Sequence, residues 1–147
     1  MTAPAGAGIR AWIDGASRGN PGEAGFGVVA HEDGTVEEIA GFLGRTTNNV
    51  AEYAALVAAL GFARRRGAER LQLYSDSQLL VRQLQGRYRV KAPHLVPIFL
   101  KVMELKRGIP RFAIEHVPRA ENKAADALAN RAIDHRLPAP DWLELEL

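Results

Sequence analysis

The chain has 147 residues, 47% of them apolar and 24% charged, with a formal net charge of +2, a composition that suits one globular domain with a sizeable core. It contains no cysteine, which excludes disulfides and thiolate metal sites and leaves oxygen or imidazole to ligate any metal. Its longest apolar stretch, Tyr53 to Ala63, is far short of the roughly 20 residues that span a bilayer. Ile9 to Asp14 reads as a first strand with little alternation, hence buried on both faces. Ser17-Arg18-Gly19-Asn20-Pro21-Gly22 is a turn cluster. Gly25 to His31 and Val36 to Gly44 read as two further strands, with the hairpin signal Asp33-Gly34 between them. A long helix is predicted over Asn49 to Arg66, closed by Gly67, with three arginines in its last turn where cations suit the dipole. A strand at Arg70 to Tyr74 follows, then a helix from Ser75 or Asp76 to Gln85. Pro93 and Pro97 mark the entry to another helix, through about Lys106. Arg111 to Val117 is a fifth strand, ended by Pro118, and a last helix covers roughly Asn122 to His135.

The order βββαβααβα predicts an α/β fold with one five-stranded mixed sheet, an antiparallel meander extended by two parallel strands and flanked by helices. Residues 1–8 are expected to form a flexible N-terminus, 9–135 the domain, and 136–147 a tail ending in either an added strand or a loose end. The first eight residues have neither the basic start nor the apolar core of a signal peptide. A soluble cytoplasmic protein, monomeric and without a membrane partner, is the expectation.

Four acids carry the chemistry. Asp14 ends the first strand, Glu52 opens the apolar helix pattern, Asp76 follows the fourth strand and Asp126 opens the last helix. Each has a bland alternative: a turn for Asp14-Gly15, a capping box for Asn49 to Glu52, an N-cap for Asp76, a helix start for Asp126. The helix faces argue otherwise. Glu52 shares its face with Leu56, Ala59, Leu60 and Ala63, Asp76 with Leu80, Gln83 and Leu84, and Asp126 with Ala129, Asn130 and Ile133. Those largely apolar faces should pack on the sheet, so the acids point inward, where an uncompensated carboxylate is expensive. Clustered carboxylates repel one another and need cations between them. Oxygen ligands select Mg²⁺ or Mn²⁺, and two ions about 3.5–4 Å apart suit in-line attack on a phosphodiester. Between Asp76 and Glu104 there is no acid, while Arg82, Arg87, Arg89, Lys91 and Lys101 fall there. This run is either a solvated basic face or a holder for an anionic polymer that the acidic cluster cuts.

The motifs Asp14-Gly15-Ala16-Ser17, Gly19-Asn20-Pro21-Gly22, Thr46-Thr47-Asn48-Asn49 before Glu52, Ser75-Asp76-Ser77-Gln78, and Glu121-Asn122-Lys123 before Asp126 together resemble type 1 ribonuclease H. The resemblance covers roughly Ile9 to His135 and is to compact members, without a basic protrusion or a preceding hybrid-binding domain. It implies the ribonuclease H-like fold and endonucleolytic hydrolysis of the RNA strand of an RNA/DNA hybrid by two-metal-ion catalysis, giving 5′-phosphate and 3′-hydroxyl ends. In that reading Asp14 bridges both metals, Asp126 completes the site that activates the attacking water, and Glu52 and Asp76 hold the metal at the leaving 3′ oxygen. Asn20, Asn48, Asn49 and Gln78 match positions that read sugars and base edges in the minor groove, where the 2′-hydroxyl distinguishes RNA from DNA. Thr47 matches a position that grips a DNA-strand phosphate, and Arg87, Arg89 and Lys91 are further candidates for phosphate contact. Tyr88 among them either lies along a sugar or packs in the core. Many members carry a loop histidine before the last acid. Here His116 reads as the end of a strand, and Arg119 is the better candidate to reach the scissile region. Two alternatives remain: a non-catalytic hybrid-binding module, and a metal nuclease for double-stranded RNA or branched DNA.

Overall fold

Alternation governs the first strand. The computed structural model describes residues 8–145, so the expected flexible N-terminus and the end of the tail fall almost wholly outside it. In β1 (Ile9–Gly19), Ile9, Ala11 and Ile13 turn into the core while Arg10 is exposed and Trp12 half-buried. A strand ending at Asp14 and buried on both faces is therefore corrected. β1 runs on because β2 (Gly22–Glu32) pairs with it as far as Gly19↔Gly22, and only Asn20 and Pro21 lie between the strands. β3 (Thr35–Thr46) joins through Asp33 and Gly34, both at positive φ as a primed hairpin turn requires.

α1 (Asn48–Arg65) is capped by Thr47, whose hydroxyl accepts from the Val50 N–H at 3.2 Å. The capping box at Asn49 is thereby corrected, and Glu52 is left with no capping duty. α1 is buried on nearly every side because β1 and β2 cover one flank and α3 (Val96–Arg107) another. β4 (Arg70–Ser75) lies parallel to β1, and β5 (Arg111–His116) parallel to β4, giving the order β3-β2-β1-β4-β5. α2 (Gln78–Leu84) is capped by Ser77, not by Asp76, which stays in the short connection after β4. A single 3₁₀ turn, Arg119–Glu121, leads into α4 (Lys123–Asp134).

The two sheet faces are covered by different helices. Ile9, Ala11 and Ile13 face the core that α1 fills, whereas Val29 and Trp12 pack with Ala125 and Leu128 of α4. The tail is neither strand nor loose end over its described part. The Leu137 carbonyl accepts from the Phe42 N–H at 2.7 Å, and Trp142, Leu143 and Leu145 pack against the core. The Arg65 guanidinium stands 5.3 Å from the Trp142 ring centroid. Among the described residues, no helix is long and apolar enough to cross a membrane.

Candidate active site

Strand register brings the first two acids together. The last parallel pair of β1 and β4 is Trp12↔Tyr74. Asp14 and Asp76 each lie two residues further on, hence on the same sheet face, where the paired strands part. Two glycines then let helices close in. A Cβ on Gly15 would overlap the Ala51–Glu52 backbone, so the bare glycine lets α1 bring Glu52 against β1. On the other face Gly27, the cross-strand partner of Asp14, leaves room for α4, since a Cβ there would lie 2.7 Å from the Ala125 carbonyl oxygen. Asp126 is carried in on that approach.

The result is a cleft of about 410 Å³ lined by Asp14, Glu52, Asp76 and Asp126, with Arg18, Asn48, Arg119 and Asn130 around it. Asp14 is 8% exposed and the other three acids are half-buried. Burial pushes the Asp14 carboxyl up to about 8; the Asp76, Asp126 and Glu52 carboxylates push the same way, and Asp14 and Asp126 are within hydrogen-bonding reach. Burial also raises Glu52, to about 7, with Asp76 adding to the effect and hydrogen bonds from Ser77 and Asn48 opposing it. Asn48 Nδ2 donates to Glu52 Oε1 at 3.4 Å. Among the described residues no three His, Asp or Glu side chains are grouped so tightly that they could close around one metal ion. The carboxylates converge on a cleft rather than on a point.

The other candidate residues divide between this cleft and its surroundings. Asn20 Oδ1 accepts from the Asn48 N–H at 3.1 Å, tying the β1–β2 turn to the start of α1 beside Thr47 and the exposed Asn49. Gln78, Arg82 and Arg87 line a neighbouring groove with His116. His116 ends edge strand β5, as its sequence context suggested, and pairs with Ser75; the alternation that turns Asp14 and Asp76 to one face turns this pair to the other. Arg119 does line the acidic cleft. Arg89 and Lys91 are exposed on the connection between α2 and α3. Tyr88 is 49% exposed, with Arg82 Nη1 donating to its hydroxyl at 3.1 Å, so the core alternative is corrected. Sequence reading missed Arg18, Asn130 and Asn122. Asn122 is 1% exposed, and its Nδ2 donates to the Ile13 carbonyl at 3.0 Å, fixing the backbone just before Asp14. Asn130 was visible as the residue one helical turn after Asp126; Arg18 left no local signal, because its partners lie on α4.

A five-stranded mixed sheet with four acids gathered where its central parallel strands β1 and β4 part defines a ribonuclease H-like α/β protein. Comparison with known proteins agrees. The reverse transcriptase-like family matches residues 13–132. Ribonuclease HI of Halobacterium salinarum is 46% identical over 128 residues, 86% of this chain and 64% of that protein. Its crystal structure superposes with a TM-score of 0.82 at 45% identity, covering 87% of this chain and 98% of that one. A bifunctional protein of Mycobacterium tuberculosis is 44% identical over 124 residues, 82% of this chain and 34% of that protein. The chain therefore spans less than two thirds of either curated relative. LC11-RNase H1 from compost, solved in complex with RNA/DNA hybrid, matches with a TM-score of 0.81 and 42% identity, covering 86% of this chain and 97% of that one. The chain belongs to the ribonuclease H family.

Proposed function

We propose that the protein is an endonuclease that hydrolyses the RNA strand of RNA/DNA hybrids, leaving 5′-phosphate and 3′-hydroxyl ends. One observation carries the reading: four carboxylates from β1, α1, the β4–α2 connection and α4 line one cleft, with Asp14 raised to about 8 by burial and by its three neighbours. Such a cluster costs the free fold stability, and it suits positive charge brought by a ligand.

The donor set fits Mg²⁺ or Mn²⁺, being oxygen throughout. Its failure to form a closed cage also fits, because Mg²⁺ keeps several waters and takes only one or two carboxylates besides substrate phosphate oxygens. Asp14 and Asp126 would hold one ion, and Glu52 and Asp76 a second beside Asp14. When bound, such ions polarise the scissile phosphate and lower the pKa of an attacking water. The protein's own residues then set position and selectivity. Asn48, anchored to Asn20 and reaching Glu52, presents an amide that can both donate to and accept from a 2′-hydroxyl, as can Asn20, Asn49 and Gln78. Arg119 supplies positive charge at the cleft, and Thr47, Arg87, Arg89 and Lys91 offer contacts to the phosphate backbones. The test is incubation with labelled hybrid, double-stranded RNA and double-stranded DNA of one sequence, each with Mg²⁺, Mn²⁺ or EDTA. Cleavage of the hybrid alone, abolished by EDTA, is expected; cleavage in EDTA, or of double-stranded DNA, would refute the assignment.

A further inference from the structure

One rim of the acidic cleft holds a chain of side chains that the proposed reaction leaves without a role. Asn130 follows Asp126 by one turn of α4, and its Nδ2 donates to the Asp126 main-chain carbonyl at 3.0 Å and to carboxylate Oδ1 at 3.3 Å. On its other side Asn130 Oδ1 accepts from Arg18 Nη2 at 3.2 Å. Arg18 Nη1 in turn donates to Asp134 Oδ1 at 2.5 Å. Arg18 belongs to β1, so the chain ties the β1–β2 hairpin to α4 beside the acids.

The chemistry of the links fixes the direction of the chain. A guanidinium carries only donors. It therefore draws the amide oxygen of Asn130 toward itself and leaves the N–H group facing Asp126. An N–H bond to Asp126 Oδ1 restrains rotation of the carboxylate and leaves Oδ2 free for the cleft. Arg18 and Asp134 are about half exposed, and an ion pair so exposed adds little to stability. Orientation is what the arrangement supplies. The two bonds aim the guanidinium at Asn130 and Asp134 on α4.

We propose that Asn130, held by Arg18 and Asp134, is a positioning residue that fixes the Asp126 carboxylate toward Asp14, and that Arg18 affects the reaction through Asn130 rather than through the substrate. The inference rests on Asp126 being a cation ligand. Groups that orient ligating carboxylates typically change metal affinity or activity by about 10–100-fold when removed.

The experiment uses the full chain with Asn130→Ala, Asn130→Asp, Arg18→Ala and the Arg18→Ala/Asn130→Ala double variant. Asn130→Asp keeps an acceptor for Arg18 but sets an oxygen against Asp126, so it separates lost orientation from lost folding. Expected for both Asn130 variants is a fall in kcat of about 10–100-fold, with hybrid binding in Ca²⁺ unchanged. The Mg²⁺ concentration for half-maximal rate should rise, and the increase in Tm of the free protein on adding Mg²⁺ should shrink. Arg18→Ala should change the same quantities in the same direction, and should add nothing in the Asn130→Ala background. A raised KM or a flatter salt dependence for Arg18→Ala, additive with Asn130→Ala, would show that Arg18 meets the substrate and overturn the proposal. So would an Asn130→Asp variant with wild-type kcat and wild-type Mg²⁺ response. Asp126→Asn, run in parallel, separates the two claims. If it cuts hybrid like wild type, the assignment of Asp126 falls. If wild type cuts no hybrid, the proposed function falls, and the Mg²⁺-induced Tm change still decides for or against Asn130.

Discussion

Asp14 shows how a single side chain can serve function at a cost to the free fold. The metal-free folded chain keeps the Asp14 proton up to about pH 8, whereas the unfolded chain releases it near 3.8. Glu52 behaves alike between 4.5 and about 7. The folded state thus binds more protons across this interval, and its stability must fall as pH rises from about 4 to about 8. Thermal melts in EDTA at pH 5, 6, 7 and 8 should show Tm declining, and Mg²⁺ should flatten the decline. Asp14→Asn should lose cleavage, retain hybrid binding in Ca²⁺, and melt higher than wild type at pH 8 in EDTA. Recovering even one pKa unit, about 1.4 kcal/mol, corresponds to about 4 °C in a domain of this size. A lower Tm for Asp14→Asn would mean that the carboxylate supports the fold. At this scale the sequence made the four acids legible, because each interrupts an apolar pattern. It did not reveal which residues cap the helices. Thr47 and Ser77 each stand beside other residues able to cap, and only the backbone conformation selects among them.

Among the elements, the approach of α1 and α4 to opposite faces of β1 and β2 decides whether the acids meet. Gly15→Ala and Gly27→Ala each place a methyl group against helix backbone, and such overpacking costs about 1–3 kcal/mol. Urea unfolding should show that loss, and cleavage of hybrid should fall with it, since helix displacement separates the carboxylates. Full activity in Gly27→Ala would mean that the approach of α4 is not what sets Asp126. The segment between α2 and α3 is the other element with a testable duty. Buried Gln83 accepts from the Tyr53 hydroxyl at 2.5 Å and donates to the Arg89 carbonyl at 3.4 Å, anchoring the stretch that displays Arg87, Arg89 and Lys91. If these three meet phosphates, their triple alanine variant should bind hybrid more weakly in Ca²⁺. Its log affinity should also depend less steeply on log salt, by nearly one for each phosphate no longer neutralised, between about 50 and 200 mM. An unchanged slope would make the run a solvated face. The elements themselves could be read from period and punctuation, the exceptions being the start of β2 and, above all, β1. Its far half pairs only because β2 answers it residue for residue, which is long-range information that a local turn signal hides.

For the whole molecule, topology turned scattered acids into one cleft and a basic connection into its neighbour. The order βββαβααβα was enough to anticipate a mixed sheet, but the sheet order and the separation of α1 from α4 onto opposite faces follow from packing. The tail illustrates the limit. Trp142 looked equally suited to a strand or to none, and it lies on α1 because Gly61 leaves space there, with a Cβ at that position reaching only 3.2 Å from the indole. Substrate choice belongs at this scale, because the amides of Asn20, Asn48, Asn49 and Gln78 are brought in by three different elements. A duplex with one ribonucleotide flanked by DNA should be cut much more slowly than a full hybrid, since most 2′-hydroxyl contacts are missing. Equal rates would show that the amides do not sense the sugar.

The central claim is that the four clustered acids form a metal-dependent site for the RNA strand of a hybrid. It is tested most directly by labelling the two strands of one hybrid separately and following both in Mg²⁺ with wild type and with Asp14→Asn. The RNA strand should shorten to products with 5′-phosphate ends while the DNA strand stays intact, and Asp14→Asn should leave both whole. Cleavage of the DNA strand, or RNA cleavage that survives in Asp14→Asn, would contradict the account.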